Sequence, residues 1–382
     1  MRILLVFPPL APAGAVEPPV ALVTLAAWLL RSGHSVRILD LDLFHRQTGS
    51  TFWAEGLDEF ERVLREYRPH VVGVTSMFSN SLHAARILAL TKACFPDVVT
   101  VAGGSHFGAL PREALERNAA LDFVIQGEAE PALEQLLLQL AAACDWSKVP
   151  SLAHRRDGAV ILNQLAPLMD LGQLPNVWEG LGDVIDLAAY PQTIPAGSRH
   201  RVAYVEAGRG CPYDCSFCAT APFWRRKFRV KPVAHIVDEI RTLRNYGYDR
   251  FILLHDLLTV DRRFVSELCD ALLLSRMPIE WMANSRTDIP LDGLLPKMKA
   301  AGCWKLFFGI ESASERVQKD CAKQLDLPKA CAAVDELARH GLTSTCSFVV
   351  GFPAETPSEA GASISLAARL KLSGAETVQF HR

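Results

Sequence analysis

No stretch of about eighteen uninterrupted apolar residues occurs in the 382-residue chain, so nothing in it reads as a membrane-spanning helix. The opening run Met1-Arg2-Ile3-Leu4-Leu5-Val6-Phe7 is too short for a signal peptide and reads as a buried strand. An excess of charge is also missing. With 40 Lys and Arg against 42 Asp and Glu, the formal net charge is −2, which gives no electrostatic case for nucleic acid. The local basic run Arg225-Arg226-Lys227-Phe228-Arg229 reads as a solvated approach to a helix and, second, as an anion contact. A disulfide framework is absent too. Of ten cysteines, Cys94, Cys144, Cys269, Cys303, Cys321, Cys331 and Cys346 are scattered through core-like segments, as in a reduced cytosol. The spacing of Cys321, Cys331 and Cys346 is too wide and irregular for a metal cluster, so they read as buried thiols.

The remaining three cysteines are the strongest chemical signal. Gly208-Arg209-Gly210-Cys211-Pro212-Tyr213-Asp214-Cys215-Ser216-Phe217-Cys218 carries Cys-x-x-x-Cys-x-x-Cys on a glycine-bearing loop after a strand. Three thiolates so close together can each take one iron of a cubane [4Fe–4S] cluster and leave the fourth iron open to an exchangeable ligand. The alternative, zinc, needs a fourth ligand. His200 and His235 fall in a strand entry and a helix rather than at ligand spacing.

With 49% hydrophobic and 21% charged residues, the chain has a globular composition and enough length for two domains. Over 1–146, strand-like runs at 2–7, 35–39, 71–75, 98–102 and 122–126 alternate with helical periods at 20–31, 57–67, 81–94 and 129–143. That alternation predicts an α/β, doubly wound, flavodoxin-like parallel sheet, with ligands beyond the carboxyl ends of its strands. The loops there are 8–20, 40–43, 75–79, 103–106 and 127–130. Gly103-Gly104-Ser105-His106 removes side chains where a strand ends. Gly127-Glu128-Ala129-Glu130-Pro131 puts carboxylates at the positive end of a helix. Each taken alone also suits an ordinary strand-to-helix turn.

Residues 147–199 are rich in proline and glycine and break the alternation; Asp157-Gly158 signals a hairpin, and the segment reads as a linker. From 200 to 382 a second series begins, with strands at 201–206, 250–254, 280–283, 305–309, 345–350 and 377–380. The cysteine loop follows the first of them. Polar residues follow the others: His255-Asp256, Asn284-Ser285-Arg286 and Gly309-Ile310-Glu311-Ser312. Arg286 suits bidentate pairing with a carboxylate and Glu311 suits ribose hydroxyls, while an Arg286–Glu311 ion pair is the structural alternative. His255 with Asp256 suits either acid–base work or the capping of the next helix. Tyr213 has no single reading.

The cysteine spacing, with Phe217 just before the third thiol, resembles the radical S-adenosylmethionine (SAM) enzymes, and 200–382 resembles their partial six-stranded (β/α)6 barrel. The resemblance implies that Cys211, Cys215 and Cys218 hold a [4Fe–4S] cluster and that SAM chelates its open iron. It also places Phe217 near the adenine and Arg286, Glu311 and Ser312 around SAM. Pro8-Pro9, Gly33-His34, Gly103-Gly104-Ser105-His106 and Gly127-Glu128-Ala129-Glu130, in that order, resemble the cobalamin (B12)-binding domain that precedes this barrel in one subgroup. That likeness implies cobalamin beside Thr75, Ser76, Met77, Gly103, Gly104, His106, Gly127 and Glu128. The Asp-x-His-x-x-Gly motif that brings a histidine to cobalt elsewhere is absent.

The function so implied is methylation of an unactivated carbon of a small molecule, through a 5′-deoxyadenosyl radical and methylcobalamin. Tyr213 would face cobalamin or substrate. Cyclisation, rearrangement, a barrel whose first domain ignores cobalamin, and a non-catalytic cluster- or corrin-binding sensor are the alternatives. Methylthio-transferases need three further cysteines in the first domain, which offers only Cys94 and Cys144. A reductant such as flavodoxin or ferredoxin and a cytoplasmic setting are implied. The last strand runs almost into His381-Arg382, so a fragment, a partner-closed barrel or a large substrate acting as lid are all open.

Overall fold

Arg2–Phe7 (β1) is a run of Ile, Leu and Val with an almost entirely buried interior, as a central parallel strand requires. In the computed structural model, which describes residues 1–10, 17–49, 52–142, 144–190 and 200–381, β1 lies between Ser35–Asp40 (β2) and Val71–Thr75 (β3). Val99–Gly103 (β4) and Phe123–Ile125 (β5) extend the sheet, giving parallel order β2-β1-β3-β4-β5. This is the flavodoxin-like winding. Helices such as Val20–Arg31, Leu57–Tyr67, Ser81–Cys94 and Glu130–Ala141 alternate with the strands. Leu4, Val6, Phe60, Leu64, Val74, Ile87 and Val124 belong to one core cluster of this unit. Part of the loop expected over 8–20, residues 11–16, lies outside the described residues.

Leu152–Arg156 (β6) and Ala159–Leu162 (β7) form the expected hairpin and add two antiparallel strands beyond β5. Asp157 and Gly158 have φ of 50° and 79°, the paired positive values of a tight hairpin turn. The segment read as a linker does more than connect: the first compact unit runs from Met1 to Arg199. Val184 O accepts a bond from Ile38 N at the outer edge of β2 (2.9 Å), and Trp178 is fully buried. Tyr190 Oη donates to Asp40 at 2.8 Å. Burial pushes the Asp40 carboxyl up to about 6, against the hydrogen bonds that the Leu43 amide and Tyr190 supply.

The second unit, His200–Arg382, opens with Val202–Glu206 (β8). A short antiparallel ribbon follows, Gly208–Arg209 (β9) with Arg229–Val230 (β10). Arg250–Leu254 (β11), Glu280–Ser285 (β12), Cys303–Glu311 (β13), Thr343–Val349 (β14) and Thr377–His381 (β15) then build a six-stranded parallel sheet in the order β15-β14-β13-β12-β11-β8. Each crossover carries a helix, Val233–Asn245 and Arg262–Ser275 being the first two. Just past the ribbon, Lys231 Nζ and Glu239 Oε1 meet at 2.8 Å with both side chains 0% exposed, fastening the first of these helices to the ribbon. A register shift between Gly309 and Glu311 breaks the β13–β14 ladder at its carboxyl end.

Candidate active site

The ribbon β9–β10 closes the base of the cysteine loop, and two glycines make that closure possible. A Cβ on Gly208 would lie 2.3 Å from Arg229 O and 2.6 Å from the His255 ring. On Gly210, at φ +93°, it would lie 1.9 Å from Lys227 O. The loop is then fastened from three sides. Asp256 accepts from Gly210 N (2.7 Å) and from Thr220 Oγ1 (3.0 Å). Ser216 N donates to Cys321 O at 2.9 Å. Arg209 grips Glu206 through two bonds, at 2.7 and 3.1 Å.

Cys211, Cys215 and Cys218 are half-buried, while Pro212, Asp214, Ser216 and Phe217 between and beside them are exposed. Burial pushes the Cys211 and Cys215 thiols up, and the positive charge of Lys323 opposes this at both. Arg286 opposes it at Cys215 as well. Among the described residues no three His, Cys, Asp or Glu side chains converge on a single-ion site.

His255 is not placed for acid–base work. Leu257 N donates to its Nδ1 (3.0 Å), so Nε2 carries the hydrogen and faces Arg229 O at 3.1 Å. Phe228 packs at 4.5 Å from the ring. Burial lowers its pKa to about 4, outweighing the pull of Asp256. The imidazole is therefore a neutral brace between β10 and the end of β11, and it caps no helix. Asp256 likewise holds the loop instead of forming a dyad with His255.

The pairing of Arg286 also differs from the expected alternatives. Its guanidinium takes both carboxylate oxygens of Asp288 (2.9 and 2.7 Å) and donates twice to Lys323 O (3.2 Å). It lies 4.0 Å above the Tyr213 ring, tying the strand end to the cysteine loop. Glu311 is paired with Lys323 Nζ at 3.3 Å instead of with Arg286. Glu311 has φ +69°, a strained value for a residue with a side chain, and its carboxylate folds back over Gly309. Ser312 is fully buried, accepts from Ser314 N (3.2 Å) and meets Ser363 Oγ (3.5 Å), so its hydroxyl is spent on scaffold. Phe217 is exposed and meets Phe352 edge-on, ring centroids 5.7 Å apart. Lys323, Asp288 and Thr220 were not singled out by sequence. Asp288 follows Arg286 by two residues, but Lys323 sits between Ala322 and Gln324, both at positive φ, in a loop with no sequence signature.

In the first unit, the ends of β3 and β4 are locked together. Ser76 N donates to Gly103 O (3.0 Å) and Ser76 O accepts from His106 N (2.9 Å). Gly104, at φ +88°, lies so close that a Cβ would stand 2.6 Å from Ser76 O and 2.8 Å from Thr75 Oγ1. The buried Ser76 Oγ has no partner, as an atom awaiting a ligand hydrogen bond would have none. Met77 N donates to Asn80 Oδ1 at 2.8 Å. The His106 ring sits edge-on to Phe78, which is 84% exposed. Gly127, at φ +75°, faces open space, and Glu128 accepts from Met169 N at 2.8 Å, tying this loop to the following segment.

Both units match known families: residues 9–137 match the B12 binding domain, and residues 205–367 match the radical SAM superfamily. The chain thus carries a B12-binding domain followed by a radical SAM domain. A chain with these two domains is a radical SAM enzyme, and the cofactors that the two domain families take are a [4Fe–4S] cluster, SAM and cobalamin. An uncharacterized methyltransferase of Pyrococcus horikoshii is 27% identical over 98% of this chain and 80% of its own length. The anaerobic magnesium-protoporphyrin IX monomethyl ester cyclase of Rubrivivax gelatinosus is 28% identical over 93% of this chain, which spans 63% of that enzyme. In fold, the radical SAM methyltransferase TsrM from Kitasatospora setae, solved with cobalamin and a [4Fe–4S] cluster, gives a TM-score of 0.82 at 19% identity, covering 99% of this chain and 71% of that one. Among the described residues no helix is long and apolar enough to cross a membrane.

Proposed function

We propose that the chain is a cobalamin-dependent methyltransferase acting on an unactivated carbon of a small molecule. The observation that carries this reading is the cysteine loop, fastened at the end of β8 by Asp256 and Cys321, in a chain whose first unit ends β3 and β4 in a glycine-lined edge with the unpartnered Ser76 Oγ. When bound, the reduced cluster supplies one electron to the sulfonium of SAM, and cobalamin supplies the transferable methyl group.

Cys211, Cys215 and Cys218 hold three irons and leave the fourth to SAM. Phe217 lies against the adenine, and the free acceptor capacity of Glu311 serves the ribose hydroxyls. Arg286 acts through position: with its donors on Asp288 and Lys323, it holds Tyr213 and the cysteine loop in register with β12. Asp256 and the neutral His255 brace the loop and move no proton. Thr75, Ser76, Met77, Gly103, Gly104 and Gly127 line the corrin, with Glu128 fixing the last of these loops. His106, packed on Phe78, would border it. A reductant such as flavodoxin or ferredoxin delivers the electron in the cytoplasm, and the near-neutral charge supports a small-molecule substrate over nucleic acid.

A second reading, cyclisation, is favoured by the likeness to the magnesium-protoporphyrin cyclase. Both are tested by reconstituting the protein without oxygen with iron, sulfide and hydroxocobalamin, desalting, and measuring bound corrin and SAM products after reduction. Retained corrin with 5′-deoxyadenosine and S-adenosylhomocysteine is the expected result. 5′-Deoxyadenosine with corrin but without S-adenosylhomocysteine moves the assignment to cyclisation, and cleavage without retained corrin overturns the cobalamin-dependent reading.

A further inference from the structure

We propose that the basic turn Arg225-Arg226-Lys227 is the docking surface for an acidic, low-potential electron-carrier protein. This assignment rests on the radical SAM reading above, in which the cluster must receive one electron from outside the chain. The turn stands out against a chain of net charge −2: three consecutive cations, all exposed. Arg226 Nη1 pairs with Asp214 of the cysteine loop at 2.8 Å, whereas Arg225 and Lys227 make no ion pair among the described residues. Positive charge is thus left uncompensated beside the thiols.

The turn is built, not merely charged. The short helix Thr220–Phe223 ends, and Arg225 and Arg226 follow at φ 53° and 54°. Left-handed conformation costs a side-chain-bearing residue roughly 1–2 kcal/mol, so two in a row persist only where the surroundings fix them. Here Arg226 N donates to Ala221 O and Lys227 N to Trp224 O, both at 3.0 Å. The Trp224 ring lies 5.6 Å from the guanidinium carbons of both Arg209 and Arg229. Lys227 O then packs against Gly210, the residue before the first cluster thiol, where a Cβ would stand only 1.9 Å away. The turn fixes the backbone from which the three cations project, beside the loop whose Pro212, Asp214 and Ser216 are also exposed. An acidic carrier seated on the turn reaches the loop's solvent face, and surface charges of this kind act mainly on the rate of encounter. The step is a one-electron exchange: the carrier is oxidised by one electron, the cluster is reduced by one, and the turn itself neither gains nor loses a proton.

The test uses the reconstituted full chain and a purified bacterial flavodoxin as probe, with affinity read from flavin fluorescence and cluster reduction followed by stopped flow with flavodoxin hydroquinone. The expected result for R225E/K227E is a fall of roughly tenfold or more in flavodoxin-driven reduction, with a weaker salt dependence. SAM cleavage driven by dithionite, which needs no docking, should stay within about twofold of the parent. Lys227→Glu alone leaves both left-handed residues in place and should show the same direction if the double change disturbs the turn. Arg263→Glu, an equal charge reversal on the exposed face of the helix Arg262–Ser275, should change neither rate. Unchanged flavodoxin reduction in both turn variants, or an equal loss in Arg263→Glu, overturns the docking proposal while leaving dithionite-driven chemistry intact. No cleavage of SAM with either reductant in the parent protein overturns the underlying functional reading instead.

Discussion

At the strand ends of the second unit, Asp256, Arg286 and Glu311 are already bonded to protein partners. At the strand ends of the first unit, Gly127 faces open space and Ser76 Oγ is buried without a partner. Side chains build the first edge and backbone builds the second. A radical generator has to hold its cluster and SAM in one geometry, which a pre-formed net of charges achieves. A large planar corrin needs room and backbone amides, which glycines provide.

The sharpest way to break this contrast is to remove the thiols. Cys211→Ala, Cys215→Ala or Cys218→Ala should abolish cluster binding and SAM cleavage while leaving corrin retention close to that of the parent, measured by iron content and visible absorbance. Loss of both cofactors together would refute independent edges. The converse is Gly104→Val. With its Cβ forced against Ser76 O at φ +88°, the substitution should cost roughly 2 kcal/mol locally and abolish corrin retention, with the cluster still loaded.

A subtler contrast lies in protonation. His255 has its pKa lowered to about 4, so the unfolded chain takes up its proton first as pH falls, and the second unit loses stability between pH 6.5 and 4. Asp40 has its pKa raised to about 6, so the folded first unit takes up the proton first and gains stability between pH 6 and 3.8. Going from pH 7 to 5 should weaken the second unit by roughly 2 kcal/mol and strengthen the first by roughly 1 kcal/mol. Hydrogen exchange on the apoprotein, corrected for intrinsic rates, reads both; a shift of the same sign in both units would contradict the two burial-driven pKa changes. The smallest effect is expected from His106→Ala. The visible spectrum of bound cobalamin should not change, and a change would make His106 a cobalt ligand after all.

Sequence periodicity located the strands to within about two residues; in the first unit β1, β3 and β5 are near-continuous apolar runs, as buried parallel strands require. It found the cysteine loop for the same reason it found the hairpin at Asp157-Gly158: the chemistry is local. What it missed is held by long-range contacts. Val184 and Tyr190 tie an apparently irregular linker to β2, and nothing in their spacing announces it. The protein partners of Arg286 and Glu311 could not be read from sequence because Lys323 comes from an unpatterned loop whose backbone conformation brings it to both. His255 reads in sequence as a strand-end histidine beside an acid; only its buried pair of bonds to Leu257 and Arg229 reveals a brace.

The enclosed pair of Lys231 and Glu239 has a consequence for how this chain can change over generations. Replacing Glu239 strands the Lys231 charge in the buried interior at a cost of about 3–5 kcal/mol, whereas replacing both with apolar residues of similar bulk is far less costly. Loss of Glu239 alone is therefore blocked, and descendants that lack this carboxylate should lack the Lys231 amine as well.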